Sequence, residues 1–121
     1  MFKFFFFSNI KAEKVDFSVF KTDMHSHLLP GIDDGSADIE SSVELIRGMS
    51  ELGYTKLITT PHIIWDMYRN TPEIINAKLE LVRTAIKKEG IDVEIHAAAE
   101  YFLDEHVEEL LKKKEPLLTV S

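Results

Sequence analysis

Apolar positions along the chain alternate between short unbroken runs and a spacing of three to four residues, and that alternation predicts the order of elements. Residues 17–24 read as a first strand, marked by Val19, Phe20 and Met24. Ser36 is placed to cap a helix that ends before Gly53, with Asp38 and Glu40 in its first turn. Ile39, Val43, Ile46, Met49 and, at the margin, Leu52 give that helix an apolar stripe. The β-branched run at residues 54–60 predicts a second strand ending at Pro61-His62. Thr71-Pro72-Glu73 supplies the cap, N1 proline and first-turn acid of a second helix, carried by Ile74, Ile75, Leu79, Val82 and Ile86 to Gly90. Residues 91–99 form a third strand with Glu100 at its end. Asp104 then caps a short helix in which Val107, Leu110 and Leu111 face inward, closing near residues 112–114.

Strand and helix alternate three times, which predicts an α/β fold with a mostly parallel sheet and right-handed crossovers. Residues 1–16 stand apart as a Phe-rich start and surface arm, and residues 17–121 form the domain. The run at residues 4–7 is too short to cross a bilayer and is expected to pack on the domain or a second subunit rather than a membrane. Residues 117–121 are apolar and lack the polar tail expected of a finished terminus.

Composition narrows the function classes. With 121 residues the chain can bury one real core. Its 21 acidic against 14 basic residues give a net charge of −7, which argues against nucleic acid or an anionic membrane as partner. Without cysteine there is no disulfide framework and no thiol nucleophile, and without a transmembrane segment or leader pattern a cytoplasmic location is the default.

The candidate chemistry sits just past the predicted strand ends. His25 and His27 are two apart, so on an extended chain both rings leave the same face. Asp33 and Asp34 follow in a turn, and His62 and Glu100 occupy the equivalent place after the second and third strands. Imidazole plus carboxylate suits Mn, Zn or Fe, and α/β folds gather ligands at this end of the sheet. Read blandly, the same groups are turn residues and loop caps, which leaves their common placement unexplained. The aromatic residues of the 63–70 loop fit either a pocket wall or a cap on the core, while His96, in mid-strand, and His106, early in a helix, read as structural or solvent-facing.

The segments Asp23-x-His25-x-His27, Leu29-Pro30-Gly31-x-Asp33-Asp34-Gly35, Thr60-Pro61-His62 and Ala98-Ala99-Glu100-Tyr101 resemble the PHP (polymerase and histidinol phosphatase) metallohydrolases. Within them the chain is most similar to the manganese-dependent tyrosine phosphatases of bacterial capsular and exopolysaccharide systems. The resemblance implies the amino-terminal half of a distorted (β/α)7 barrel with two or three divalent ions. His25 and His27 would hold the first ion, Glu100 would bridge, Asp34 and His62 would help hold the third, and Asp23 would orient a ligand from behind. It implies phosphomonoester hydrolysis by a metal-bound hydroxide, acting on phosphotyrosine of a bacterial tyrosine kinase that regulates polysaccharide chain length. Two alternatives are a histidinol-phosphate or other small-substrate phosphoesterase, and a non-catalytic metal-binding or assembly fragment. The family's later glutamate, histidine and Asp-x-His have no counterpart here, so activity of the 121-residue chain is doubtful, and uncovered barrel surfaces would favour self-association.

Overall fold

The structure is a computed structural model that describes Asp16 and residues 18–120; the phenylalanine run, most of the proposed arm, Phe17 and Ser121 lie outside the described residues. The elements run β1 (Thr22–Asp23), α1 (Ile39–Glu51), β2 (Lys56–Thr59), β3 (His62–Ile63), α2 (Pro72–Lys88), β4 (Glu94–Ala97), β5 (Glu100–Tyr101) and α3 (Glu105–Lys112). All strand pairs are parallel, in a three-stranded sheet of order β1-β2-β4 and a two-stranded sheet of β3 with β5. This is the expected α/β arrangement of parallel strands with crossover helices; among the described residues the sheets stay open.

Pro61 divides the two sheets. It has no N–H to give to a ladder, so β2 stops at Thr59 and the chain resumes pairing only at His62. The third strand makes the same break: Ala98 N–H donates to Thr59 O at 3.0 Å and Glu100 N–H to Pro61 O at 2.9 Å, which steps the chain from β4 to β5. His62 and Glu100 therefore lie in strands and are register partners, rather than in loops beyond the strand ends.

The helices form where capping chemistry directs them. Thr71 accepts from Ile74 N–H and Asp104 from Val107 N–H, as expected. The first helix begins later than Ser36. Its cap is Asp38, whose carboxylate accepts from Ser41 N–H at 2.8 Å, while the buried Ser36 hydroxyl bonds Ser42 Oγ at 2.7 Å and Asp38 O at 2.9 Å. Gly53 follows that helix at φ +103°, and a Cβ there would strike Ser18 closer than 3.0 Å, so both backbone angle and space require glycine.

Two expectations about apolar residues fail. The first strand is only two residues long, because Lys21 sits at φ +56°, outside the β region, after a turn at residues 18–20. Lys21 O is held there by Thr55 N–H at 2.7 Å and Lys56 N–H at 3.0 Å, leaving the supposed markers Val19, Phe20 and Met24 exposed. In α3 only Val107 is buried; Leu110 is half-buried and Leu111 faces solvent, since nothing among the described residues packs on that side. The core is one cluster in which Ile46 of α1 and Ile75, Leu79, Val82 and Ile86 of α2 meet Leu57 of β2 and Ile95 of β4. No helix is long and apolar enough to cross a membrane.

Candidate metal centre

His25 and His27 lie beyond the short β1, so ladder pairing does not place them. Two threonines of the second strand do. Thr59 Oγ1 donates to Ser26 O and accepts from Leu28 N–H, both at 2.9 Å, and Thr60 N–H donates to Ser26 O at 2.6 Å. The buried Leu28 and Leu29 anchor the segment in the core just after His27. Both imidazoles thereby turn toward Glu100: His27 Nε2 stands 3.3 Å and His25 Nε2 3.8 Å from Glu100 Oε2.

The hydrogen bonds on the far side of each ring assign its tautomer. Asp33 Oδ2 lies 2.9 Å from His27 Nδ1 and also accepts from His62 N–H at 3.0 Å. Burial favours the neutral Asp33 carboxyl, but the hydrogen bonds from His27, Gly35 N–H and His62 N–H, with the His27 charge, outweigh it and hold its pKa below the ordinary value. An ionised carboxylate only accepts, so His27 Nδ1 carries a hydrogen. Thr60 Oγ1 donates to Ser26 O at 3.3 Å and so accepts from His25 Nδ1 at 3.0 Å. In their neutral forms both rings then present Nε2 lone pairs to a carboxylate oxygen.

Glu100 Oε2 is buried, has no hydrogen-bond partner, and has a third ring nitrogen, His62 Nδ1, at 3.4 Å. The Nε2 lone pairs of neutral His25 and His27 and this carboxylate oxygen repel one another unless a cation or a proton lies between them. Donors bound to one ion at about 2.1 Å stand roughly 3.0–3.4 Å apart, near the spacing seen here. His25, His27 and Glu100 form one group able to hold an ion, and His27, Asp34 and His62 a second, with ligand atoms in each within 4.8 Å of one another. Because His27 Nδ1 is committed to Asp33, His27 has one nitrogen to give and can serve only one ion. The second position would rest on Asp34 and His62, whose Nε2 is 3.3 Å from Asp34 Oδ1.

Comparison with known proteins gives the family. The family model for capsular polysaccharide synthesis, CpsB/CapC, matches residues 21–120. The chain belongs to the CpsB/CapC family. It is similar to the tyrosine-protein phosphatase YwqE of Bacillus subtilis, 30% identical over 78% of this chain and 37% of that protein. It is also similar to the tyrosine-protein phosphatase CpsB of Streptococcus pneumoniae, 31% identical over 82% of this chain and 41% of that protein. A chain from the crystal structures of YwqE and CpsB, described as metal-dependent tyrosine phosphatases, superposes with a TM-score of 0.69 at 30% identity, over 78% of this chain and 38% of that one. The chain thus spans about two-fifths of the length of the curated relatives it matches.

Other candidates of the CpsB/CapC chain fall in different places. Asp23 Oδ2 is buried without a hydrogen-bond partner, and the bonds that orient the two imidazoles come from Asp33 and Thr60. Of the loop aromatics, Tyr68 stacks on His62 at 5.8 Å and walls the centre. Trp65 points instead to α3, its ring stacked on His106 at 3.6 Å and its backbone N–H donating to Asp104 Oδ2. His106 is thus a packing residue, and His96 pairs with Glu94 on the sheet; neither joins a metal group among the described residues. Residues missed from sequence are Thr59, Thr60 and Asn70, while Asp33 was named beside Asp34 without a role of its own. Buried Asn70 donates to both Ile32 O at 2.9 Å and His62 O at 2.8 Å, tying the acidic loop to β3.

Proposed function

We propose that the chain forms one side of the active centre of a metal-dependent phosphotyrosine phosphatase, with His25, His27 and Glu100 at a first divalent ion and Asp34 and His62 at another. The observation that carries this reading is the buried, unpartnered Glu100 Oε2 facing three ring nitrogens. Mn fits the imidazole and carboxylate donors, with Zn and Fe the nearest competitors. When bound, such ions neutralise phosphate oxygens and lower the pKa of the attacking water. The chain's own part is to hold the donors: Asp33 and Thr60 set the rings, Asn70 fixes the loop bearing Asp34, and Tyr68 offers an aromatic wall on which a substrate ring can stack.

Among the described residues β1 and β4 lie at the two edges of the three-stranded sheet, which supports reading residues 17–121 as three β/α units of a larger, distorted (β/α)7 barrel. Ala99 N–H donating to Leu118 O at 3.0 Å has the form of a further strand joining that edge. The substrate would be a protein phosphotyrosine, as the relatives' names suggest, and by the family resemblance one on a tyrosine kinase that regulates polysaccharide synthesis. Alone, the chain would self-associate through the open edges and through Val19, Phe20 and Met24, and light scattering that shows a monomer at every concentration excludes this. The deciding experiment measures Mn content and hydrolysis of a phosphotyrosyl peptide against histidinol phosphate, with Mn added and then chelated. Unchanged metal content in His27→Ala removes the assigned site, and preference for histidinol phosphate removes the substrate class.

A further inference from the structure

Asp33 differs from its neighbour Asp34 in every physical respect. Its side chain is 1% exposed against 63% for Asp34. Its two oxygens accept three hydrogen bonds from three separate places: Oδ2 from His27 Nδ1 at 2.9 Å and from His62 N–H at 3.0 Å, and Oδ1 from Gly35 N–H at 2.9 Å. Both oxygens are engaged, so Asp33 is no candidate to ligate an ion. What it touches instead is the ring of one proposed ligand, the main chain of a second, and the turn that carries the third, Asp34.

We propose that Asp33 is the positioning residue of this centre, a single buried carboxylate that sets the Nδ1–H tautomer of His27 and ties His27 to His62. The assignment of a metal centre is the reading on which its functional weight rests. Ligating histidines are commonly held through their second nitrogen by a carboxylate, and loss of that partner costs about ten- to a hundredfold in metal affinity. Asp33 adds a second action, because the oxygen that holds the His27 ring also holds the His62 backbone. His27 Nε2 and the His62 ring are therefore fixed relative to each other, with ring centroids 4.5 Å apart. An alanine leaves all three donors without an acceptor, whereas an asparagine can keep its one oxygen on His27 and His62 and turn its NH2 toward Gly35.

The test is nitrogen NMR of the histidine rings in the metal-free full chain, at a pH above which the ring signals no longer change, with Mn titration beside it. In the wild type, His27 is expected as the Nδ1–H tautomer; an Nε2–H tautomer there overturns the proposal without any variant. In Asp33→Ala, the His27 signal is expected to shift toward the other tautomer while His25, held by Thr60, keeps its own. Mn affinity is expected to fall about ten- to a hundredfold. If folded Asp33→Ala keeps the His27 tautomer and the Mn affinity of the wild type, Asp33 is only a structural acid. If the wild type binds no Mn, the metal reading falls, and the tautomer comparison alone decides the role of Asp33.

Discussion

Replacing Glu100 by glutamine keeps its size and shape and removes its charge, and the two consequences have opposite sign. In the metal-free protein Glu100 Oε2 is a buried acceptor with no donor, 3.3 Å from the lone pair of His27 Nε2. A glutamine NH2 rotated to that position donates to Nε2, so an unsatisfied buried group, costing about 1–3 kcal/mol, becomes a hydrogen bond. The Glu100→Gln chain should therefore be more stable than wild type in chelator, by about 1 kcal/mol as the lower end of that range. With metal the order reverses. At a Mn concentration near 100 Kd the wild type gains about 2.7 kcal/mol, whereas a variant bound about a hundredfold more weakly gains only about 0.4 kcal/mol. Urea unfolding in chelator and in Mn, at the same protein concentration, reads both signs from the shift in midpoint. A variant less stable than wild type in chelator would mean that the lone pairs and the carboxylate do not face each other. Equal stabilisation by Mn would mean that Glu100 does not bind it.

Three further sets of substitutions or conditions test other parts of the fold and the site. A Cβ at Gly35 would meet the His27 backbone oxygen and Cβ far inside 3.0 Å, so Gly35→Ala must push the acidic loop off His27, at about 1–3 kcal/mol and with weaker Mn binding; Gly48→Ala, in open space within α1, should instead stabilise by about 0.5–1 kcal/mol, both by urea unfolding. Ile46 is fully buried and Ile46→Ala should cost about 2–5 kcal/mol, while Leu111→Ala on the exposed side of α3 should stay within about 0.5 kcal/mol. The caps Asp38, through the Ser41 N–H bond, and Asp104, through those from Trp65 and Val107 N–H, have pKa values lowered from 3.8. Depressed acids contribute stability above their unfolded pKa and lose it as pH falls through the folded value, so acid unfolding should steepen below about pH 4 and be blunted in Asp38→Asn and Asp104→Asn by circular dichroism.

Elements whose formation depends on neighbouring residues were readable from the chain, and those that depend on distant partners were not. Thr71 and Asp104 cap helices through bonds to residues three further on, and both were recognised. Ser36 and Asp38 are equally good caps by composition. The choice between them fell to Ser42 and His27, since Ser42 takes the Ser36 hydroxyl and His27 O takes Ser36 N–H at 3.1 Å. Likewise Val19, Phe20 and Met24 have the character of a buried strand, but the positive φ of Lys21 depends on donors from Thr55 and Lys56, more than thirty residues away. Which of two adjacent aspartates turns inward is a question of the same kind. Nothing in Asp33-Asp34 distinguishes them; the three donors that select Asp33 come from His27, Gly35 and His62.

Pro61 shows how a local rule produced a nonlocal result. That the residue ends a strand follows from its missing N–H. That the interruption is matched in the third strand, so that the chain re-pairs with His62 directly opposite Glu100, requires both strands at once. The placement of candidate ligands past the strand ends thus holds for His25, His27 and Asp34 and is wrong about the backbone beneath His62 and Glu100. A loop would let the His62 ring wander. A two-residue parallel pair, backed by Asn70 on His62 O and Asp33 on His62 N–H, leaves it little room to do so. The cost of bringing the Nε2 lone pairs of His25 and His27 up to a carboxylate is met by this rigidity, and the repulsion that remains is what a divalent cation would relieve.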